Sequence, residues 1–233
     1  GHRRCGIFGR RGPRGRAPGK NGEDQAPRKT CVAVFPVLAA PGAEEVAWVG
    51  DAIYRFLPIA LEDSVELRVL TPERLHDLSK GDLPPALPAQ QSLARKGWAD
   101  YFLRGEVSGK PDSASVEASW IEAATGRETE HWKVDGISAE NLGRKLDELN
   151  AHLRLALRLG TPGSTEPPLF TLVPIKGTPT RAYLTASSLL VKGDTAGCLK
   201  ALAEAPPLSD FHLAYFLQAE AAARAGDART AVK

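Results

Sequence analysis

The run Val32-Ala-Val-Phe-Pro-Val37 is wholly apolar, and it is the point where a Gly-, Arg- and Pro-rich chain first turns hydrophobic. It is short and shows no alternation of apolar and polar residues, so it predicts a central strand buried on both faces of its sheet. Such a strand needs covering layers on both sides, which points to an α/β domain. Pro36 has no N–H for a ladder and is expected to end the strand.

The segments that follow supply those layers. Beyond the turn at Ala40-Pro-Gly42, the residues Val46, Val49, Ile53, Phe56, Leu57 and Ala60 recur at three- and four-residue spacing, with Glu44 and Glu45 in the first turn. That is an amphipathic helix with its dipole complemented, which Pro58 is expected to kink or shorten. Residues 65–70 alternate as a second strand, and Thr71-Pro72 opens a short helix through Leu78. The Pro-rich stretch 81–88 predicts a loop, 89–99 a helix and 101–107 a strand. In the next strand Ala114, Val116, Ala118 and Trp120 alternate with Ser115, Glu117 and Ser119, so one face is buried. Thr125-Gly126 turns the chain into a last strand at 129–134. Ser138 is the expected cap of a long helix with a stripe of Leu142, Leu146, Leu149, Leu153 and Leu157. The expected fold at 31–160 is therefore a small mixed-sheet α/β domain, βαβα followed by an antiparallel meander and a long helix.

Residues 1–30 read as a disordered basic linker, and 161–177 as a Pro-rich linker at a domain boundary. From 178 to 233 the chain is rich in Ala and Leu and reads as helical. Gly193-Asp194 and Gly226-Asp227 lie 33 residues apart. Each pair has a small residue seven positions before it (Ala186, Ala219) and another five after its glycine (Cys198, Ala231). That period suits paired helices of a repeat, cut short by the end of the sequence. A chain that opens on Gly1 and has no Met reads as a piece of something longer.

Charge divides the chain in the same place. Residues 1–30 carry nine basic and two acidic residues, and the remaining 21 basic and 26 acidic residues leave the rest net acidic. A basic arm attracts phosphate or an anionic surface, although a solvated linker accounts for it more simply. The chain has no run of about 18 apolar residues and no apolar core behind its arginines to make a signal peptide.

No constellation of catalytic residues is visible. Gly15–Lys20 and Gly105–Lys110 each have one residue too few between glycines for a phosphate loop, and neither lysine precedes Ser or Thr. His2, His76, His131, His152 and His212 show no metal-ligand spacing, and Cys5, Cys31 and Cys198 form no C-x-x-C pair. No cofactor or metal is expected. His131 is read as a solvent-facing strand residue, and Glu128 and Glu130 as a solvated strand face. Trp120 and Trp132 are read as closing the sheet against a helix rather than as a stacking platform.

Residues 31–159 resemble the TolB amino-terminal-like domain. The resemblance rests on Val32–Val37, on the glycine-centred Val49-Gly-Asp-Ala-Ile53, and on Val65-Glu-Leu-Arg-Val69. It is stronger in Asp100-Tyr-Phe-Leu-Arg-Gly-Glu-Val107 and in the hairpin Trp120-Ile-Glu-Ala-Ala-Thr-Gly126 that leads to Trp132. The chain departs from the pattern after Pro36, in the 81–88 insert and at the end of the last strand. The resemblance implies tetratricopeptide-like repeats after the domain. It also implies a larger bacterial signalling or envelope protein, with a membrane helix upstream of this piece. The location implied is the periplasmic or extracytoplasmic side of a membrane if that helix exists, and the cytoplasm otherwise.

The function expected is that of a non-catalytic recognition or scaffold module, a sensor or adaptor that takes a protein or peptide partner through its helical repeats. Tyr183, Ser187, His212 and Tyr215 are the candidate partner-binding residues. One rival is nucleic-acid or anionic-surface binding by the arm, which lacks interleaved aromatics. The other is an enzyme with a cleft between the 81–99 segment and the Trp132 hairpin, which lacks a nucleophile or an acid–base pair.

Overall fold

The computed structural model describes residues 28–62, 64–159, 177–205 and 212–226. The basic arm up to residue 27 and the linker at 160–176 lie outside the described residues, as do Cys5 and Ala231.

A mixed sheet forms the centre of the α/β domain. Its strands are β1 (Thr30–Val34), β2 (Leu38–Ala39), β3 (Leu67–Leu70), β4 (Tyr101–Lys110), β5 (Ser113–Glu122) and β6 (Glu128–Ile137). They run in the order β3-β1-β4-β5-β6, with β2 also paired to β4. β1 is parallel to β3 and to β4, whereas β4, β5 and β6 form the antiparallel meander. The parallel half needs helical crossovers and the meander only tight turns, as the spacing of apolar segments requires. β1 is buried almost throughout, which fits its continuous apolar run.

Pro36 does end β1, but the strand direction is not lost. Phe35 N–H donates to Leu103 O, and Ala40 N–H donates to Val107 O beyond the proline, so β2 resumes pairing with β4. This two-residue strand is not visible as a separate apolar alternation.

The helices are α1 (Ala47–Glu62), α2 (Pro72–Ser79), α3 (Leu87–Lys96), α4 (Leu142–Ala156), α5 (Gly177–Val191), α6 (Thr195–Ala203) and α7 (His212–Arg224). α1 and α4 cover one face of the sheet. There Val116 and Val134 meet Val49 and Ile53 of α1 and the Leu142, Leu146 and Leu149 stripe of α4 around one small void. Trp120 is 1% exposed and stacks on Tyr101, while Trp132 stacks on His152 of α4. The other face is apolar towards its β3–β1 end, where Ala33 pairs with Leu70 and Phe102. Gly97, after α3, abuts Leu70 and Leu78 there. Over β4–β6 that face is polar, with Ser119 Oγ 3.1 Å from His131 Nδ1 and Ser115 donating to Asp135 at 2.6 Å. His131, Glu128 and Glu130 are all exposed.

Four local expectations are corrected. α1 continues through the buried Pro58 to Glu62, because packing on both sides of the helix outweighs the one hydrogen bond that proline removes. The residue at the N-cap position of α4 is Asn141 rather than Ser138, and its side chain bonds no helical N–H. The Asn141 side chain accepts from Ser138 N–H at 2.9 Å and donates to Gly136 O at 2.8 Å, which leaves Ser138 in the approach to the helix. α3 begins at Leu87, with Pro88 in its first turn where a missing N–H costs nothing, so the loop is shorter than expected. The same helix ends at Lys96, three residues early.

α5, α6 and α7 follow as packed helices. Gly193 and Gly226 end α5 and α7 at φ +82° and +78°, the left-handed conformation that glycine enters freely. The 33-residue spacing thus marks two equivalent helix ends. Ala186 and Cys198 are fully buried between the helices, and Ala219 is half-buried.

Candidate functional site

Tyr183 and Ser187, two of the four candidate residues, lie inside the molecule. Both are buried, and they belong to the face by which α5 docks on α1. The Tyr183 ring stacks on Phe56 with centroids 5.5 Å apart. Arg181 lies over the Trp48 ring at 4.9 Å. Arg55 joins three helices: its guanidinium donates to Glu73 of α2 at 3.1 Å and to the backbone carbonyl of Ser187 at 3.1 Å. With its side chain only 9% exposed, Arg55 would be an uncompensated buried charge without these two partners. Burial pushes the Tyr183 hydroxyl up to about 12 and the Tyr54 hydroxyl up as well. The Tyr54 hydroxyl donates to Pro72 O at 3.3 Å, which ties α1 to the start of α2.

Tyr215 is exposed on α7, beside Phe216, which is 73% exposed. Leu217, Ala221 and Ala222 of the same helix are buried, and Arg224 donates to Leu190 O of α5. α7 is therefore anchored by one side and presents two adjacent aromatics on the other. The His212 side chain lies outside the described residues. The structure thus separates the four candidates, with Tyr183 and Ser187 at an internal contact and Tyr215 on the surface.

A second surface lies on the α/β domain. At the end of the sheet where β1 and β4 begin, an open groove of about 1080 Å³ runs beside the last turn of α3. Arg28 and Lys29 line it from the approach to β1, and Arg95 and Lys96 from α3. Trp98 stands in it 75% exposed. Arg28 donates to Asp100 at 3.0 Å, and the other Asp100 oxygen accepts from Cys31 N–H at 2.8 Å. The groove does lie between the 81–99 segment, through Gln91, Ser92 and Arg95, and the turn of the hairpin that leads to Trp132, through Glu122 and Ala124, although Trp132 itself does not line it. The available signal was Arg95-Lys96-Gly97, a basic last turn followed by glycine, which marks a helix end just before the tryptophan.

A smaller cleft of about 340 Å³ lies between α1, the loop after α2, and α5, with Asp51, His76, Asp82 and Lys192 at its wall. Among the described residues no group of three or more His, Cys, Asp or Glu side chains is placed to hold a metal ion. Among them, too, no helix is long and apolar enough to cross a membrane. Cys31 and Cys198 are both free and buried.

No family model matches the chain. No curated protein sequence matches it either. Solved structures to which it is similar include the LpoB C-terminal domain from Salmonella enterica, at 14% identity and a TM-score of 0.35, over 47% of this chain and 82% of that one. Lipoprotein GNA1162 from Neisseria meningitidis aligns at 14% identity and a TM-score of 0.37, over 53% of this chain and 96% of that one. TolB from Acinetobacter baumannii aligns at 15% identity and a TM-score of 0.40, over 58% of this chain and 30% of that one.

Proposed function

We propose that the chain is a non-catalytic recognition module, in which the α/β domain carries the helical segment as a fixed extension and the helical segment presents a protein-binding surface. The observation that carries this reading is the division of labour across α5–α7. One side is committed to the domain through Tyr183, Ser187 and Arg181, while α7 holds Tyr215 and Phe216 exposed and adjacent. Aromatics of this kind supply much of the energy in protein interfaces when a partner covers them. A role as the adaptor or sensor part of a larger bacterial signalling or envelope protein, with tetratricopeptide-like repeats after the domain, belongs to the same reading. It draws on the sequence resemblance of residues 31–159 and on the paired helix ends at Gly193 and Gly226.

The test is site-specific photocrosslinking in the native cell. A photoreactive residue at position 215 or 216 is expected to give a discrete adduct with one partner, and the same residue at exposed Val65, between α1 and β3, to give none. Adducts of equal yield at all three positions, or none at 215 and 216, would remove α7 as the recognition surface.

A further inference from the structure

The groove at Trp98 has features that packing alone does not explain. The α3 helix ends in a Schellman motif: Trp98 N–H donates to Arg95 O at 3.0 Å and Ala99 N–H to Ala94 O at 2.9 Å. The residue at the left-handed position of this motif is Trp98 itself, at φ +62°. Glycine ordinarily fills that position, and a bulky aromatic there is a genuine outlier. A glycine stands next door at 97, but packing has claimed it, since a Cβ there would lie 2.5 Å from Leu70 Cδ1. Lys80 and Arg158 also end helices at positive φ, but with flexible polar side chains. Trp98 combines backbone strain with an exposed indole that contributes little burial in return. Strain kept without a packing return is a mark of function.

The electrostatics of the groove point to the ligand. Arg28 is matched by Asp100, Lys96 donates to Leu78 O at 2.7 Å, and the Glu122 carboxylate accepts from Thr125. Lys29 and Arg95 remain without an ion-pair partner among the described residues, and both line the groove with Trp98. They stand on a molecule whose residues beyond 30 are net acidic. An extended polyanion such as a nucleic acid would run from the groove onto that acidic surface, which a short acidic segment need not do. A single indole also offers no succession of stacking platforms for bases. The volume exceeds most of the range for pockets that enclose small molecules, roughly 300–1,000 Å³, and this groove is open. We propose that it binds an acidic peptide segment of a partner protein, with carboxylates on Lys29 and Arg95 and an apolar side chain against the Trp98 indole. This site is separate from the α7 surface and stands whether or not that surface binds a partner.

The test uses the whole chain and a fluorescein-labelled peptide of alternating Glu and Leu, followed by fluorescence anisotropy. The parent is expected to bind it, and a Lys/Leu peptide of the same length is not. Trp98→Gly is expected to melt no lower than the parent, because glycine relieves the left-handed strain, yet to bind about ten-fold more weakly. Arg95→Glu should weaken binding at least as much, and Lys133→Glu, on the polar sheet face, should leave it unchanged. The proposal is overturned if the parent ignores the Glu/Leu peptide, or if an oligothymidylate of equal length binds more tightly. Parent-like binding by both Trp98→Gly and Arg95→Glu would overturn it as well.

Discussion

A Cβ placed on Gly50 would lie 2.0 Å from the carbonyl oxygen of Val37. α1 crosses the loop between β1 and β2 at this point, and only a residue without a side chain allows the approach. Gly→Ala inside a helix ordinarily stabilises by roughly 0.5–1 kcal/mol, through propensity and through the unfolded chain. Here the contact is with backbone, which has no rotamer to yield, so α1 or the loop must move. Gly50→Ala is therefore expected to destabilise by about 3 kcal/mol or more, read as a lower urea midpoint with an unchanged slope. A variant as stable as the parent would show that α1 does not cross so closely.

Trp120 is the largest of the fully buried side chains, and its ring stacks on Tyr101 with centroids 5.9 Å apart. Trp120→Ala is expected to cost about 3–5 kcal/mol, against a total of about 5–15 kcal/mol for a typical domain. Thermal melting of the two proteins measures the loss. A nearly unchanged melting temperature would take Trp120 out of the core.

The α/β domain was largely legible because its cues are local. The continuous run Val32–Val37 has one physical interpretation, and so does the alternation from Ala114 to Trp120. What lay beyond reach was what covers a given face. The periodicity of α5 places Tyr183 and Ser187 on one stripe, but it does not say whether solvent, a partner or α1 lies opposite. Gly50 stood out as a glycine in a helix, while its reason is a loop thirteen residues upstream. Trp98 was read as part of a helix because nothing in its residue type announces a left-handed backbone. That conformation belongs to the way α3 ends, with Trp98 N–H on Arg95 O and Ala99 N–H on Ala94 O.

Arg55 holds α5 to the domain through the Ser187 carbonyl and α2 through Glu73. Arg55→Met keeps much of the side chain's length but leaves both acceptors without their donor. Hydrogen exchange of α5 amides is expected to quicken while β1 amides stay protected, because the sheet does not depend on this contact. Loss of protection in β1 as well would mean that α5 and the sheet unfold as one unit.

The same docking predicts how stability responds to alkali. Burial raises the Tyr183 hydroxyl from 10.0 to about 12 in the folded chain. The folded state therefore keeps its proton where the unfolded state has lost it, and folding is favoured most at pH values below the unfolded pKa. As pH rises past that value the contribution declines, and it is gone once the folded pKa is passed. By about pH 11 roughly 1.4 kcal/mol of stability should have been lost through this one group. Tyr54 is raised in the same sense and for the same first reason, so part of the decline belongs to it. Tyr183→Phe keeps the ring on Phe56 and removes the ionisation. Urea titrations near neutral pH and at about pH 11 should show a smaller fall for Tyr183→Phe than for the parent, by about 1 kcal/mol. Equal falls would mean that the hydroxyl ionises in water, which is incompatible with α5 lying closed over α1.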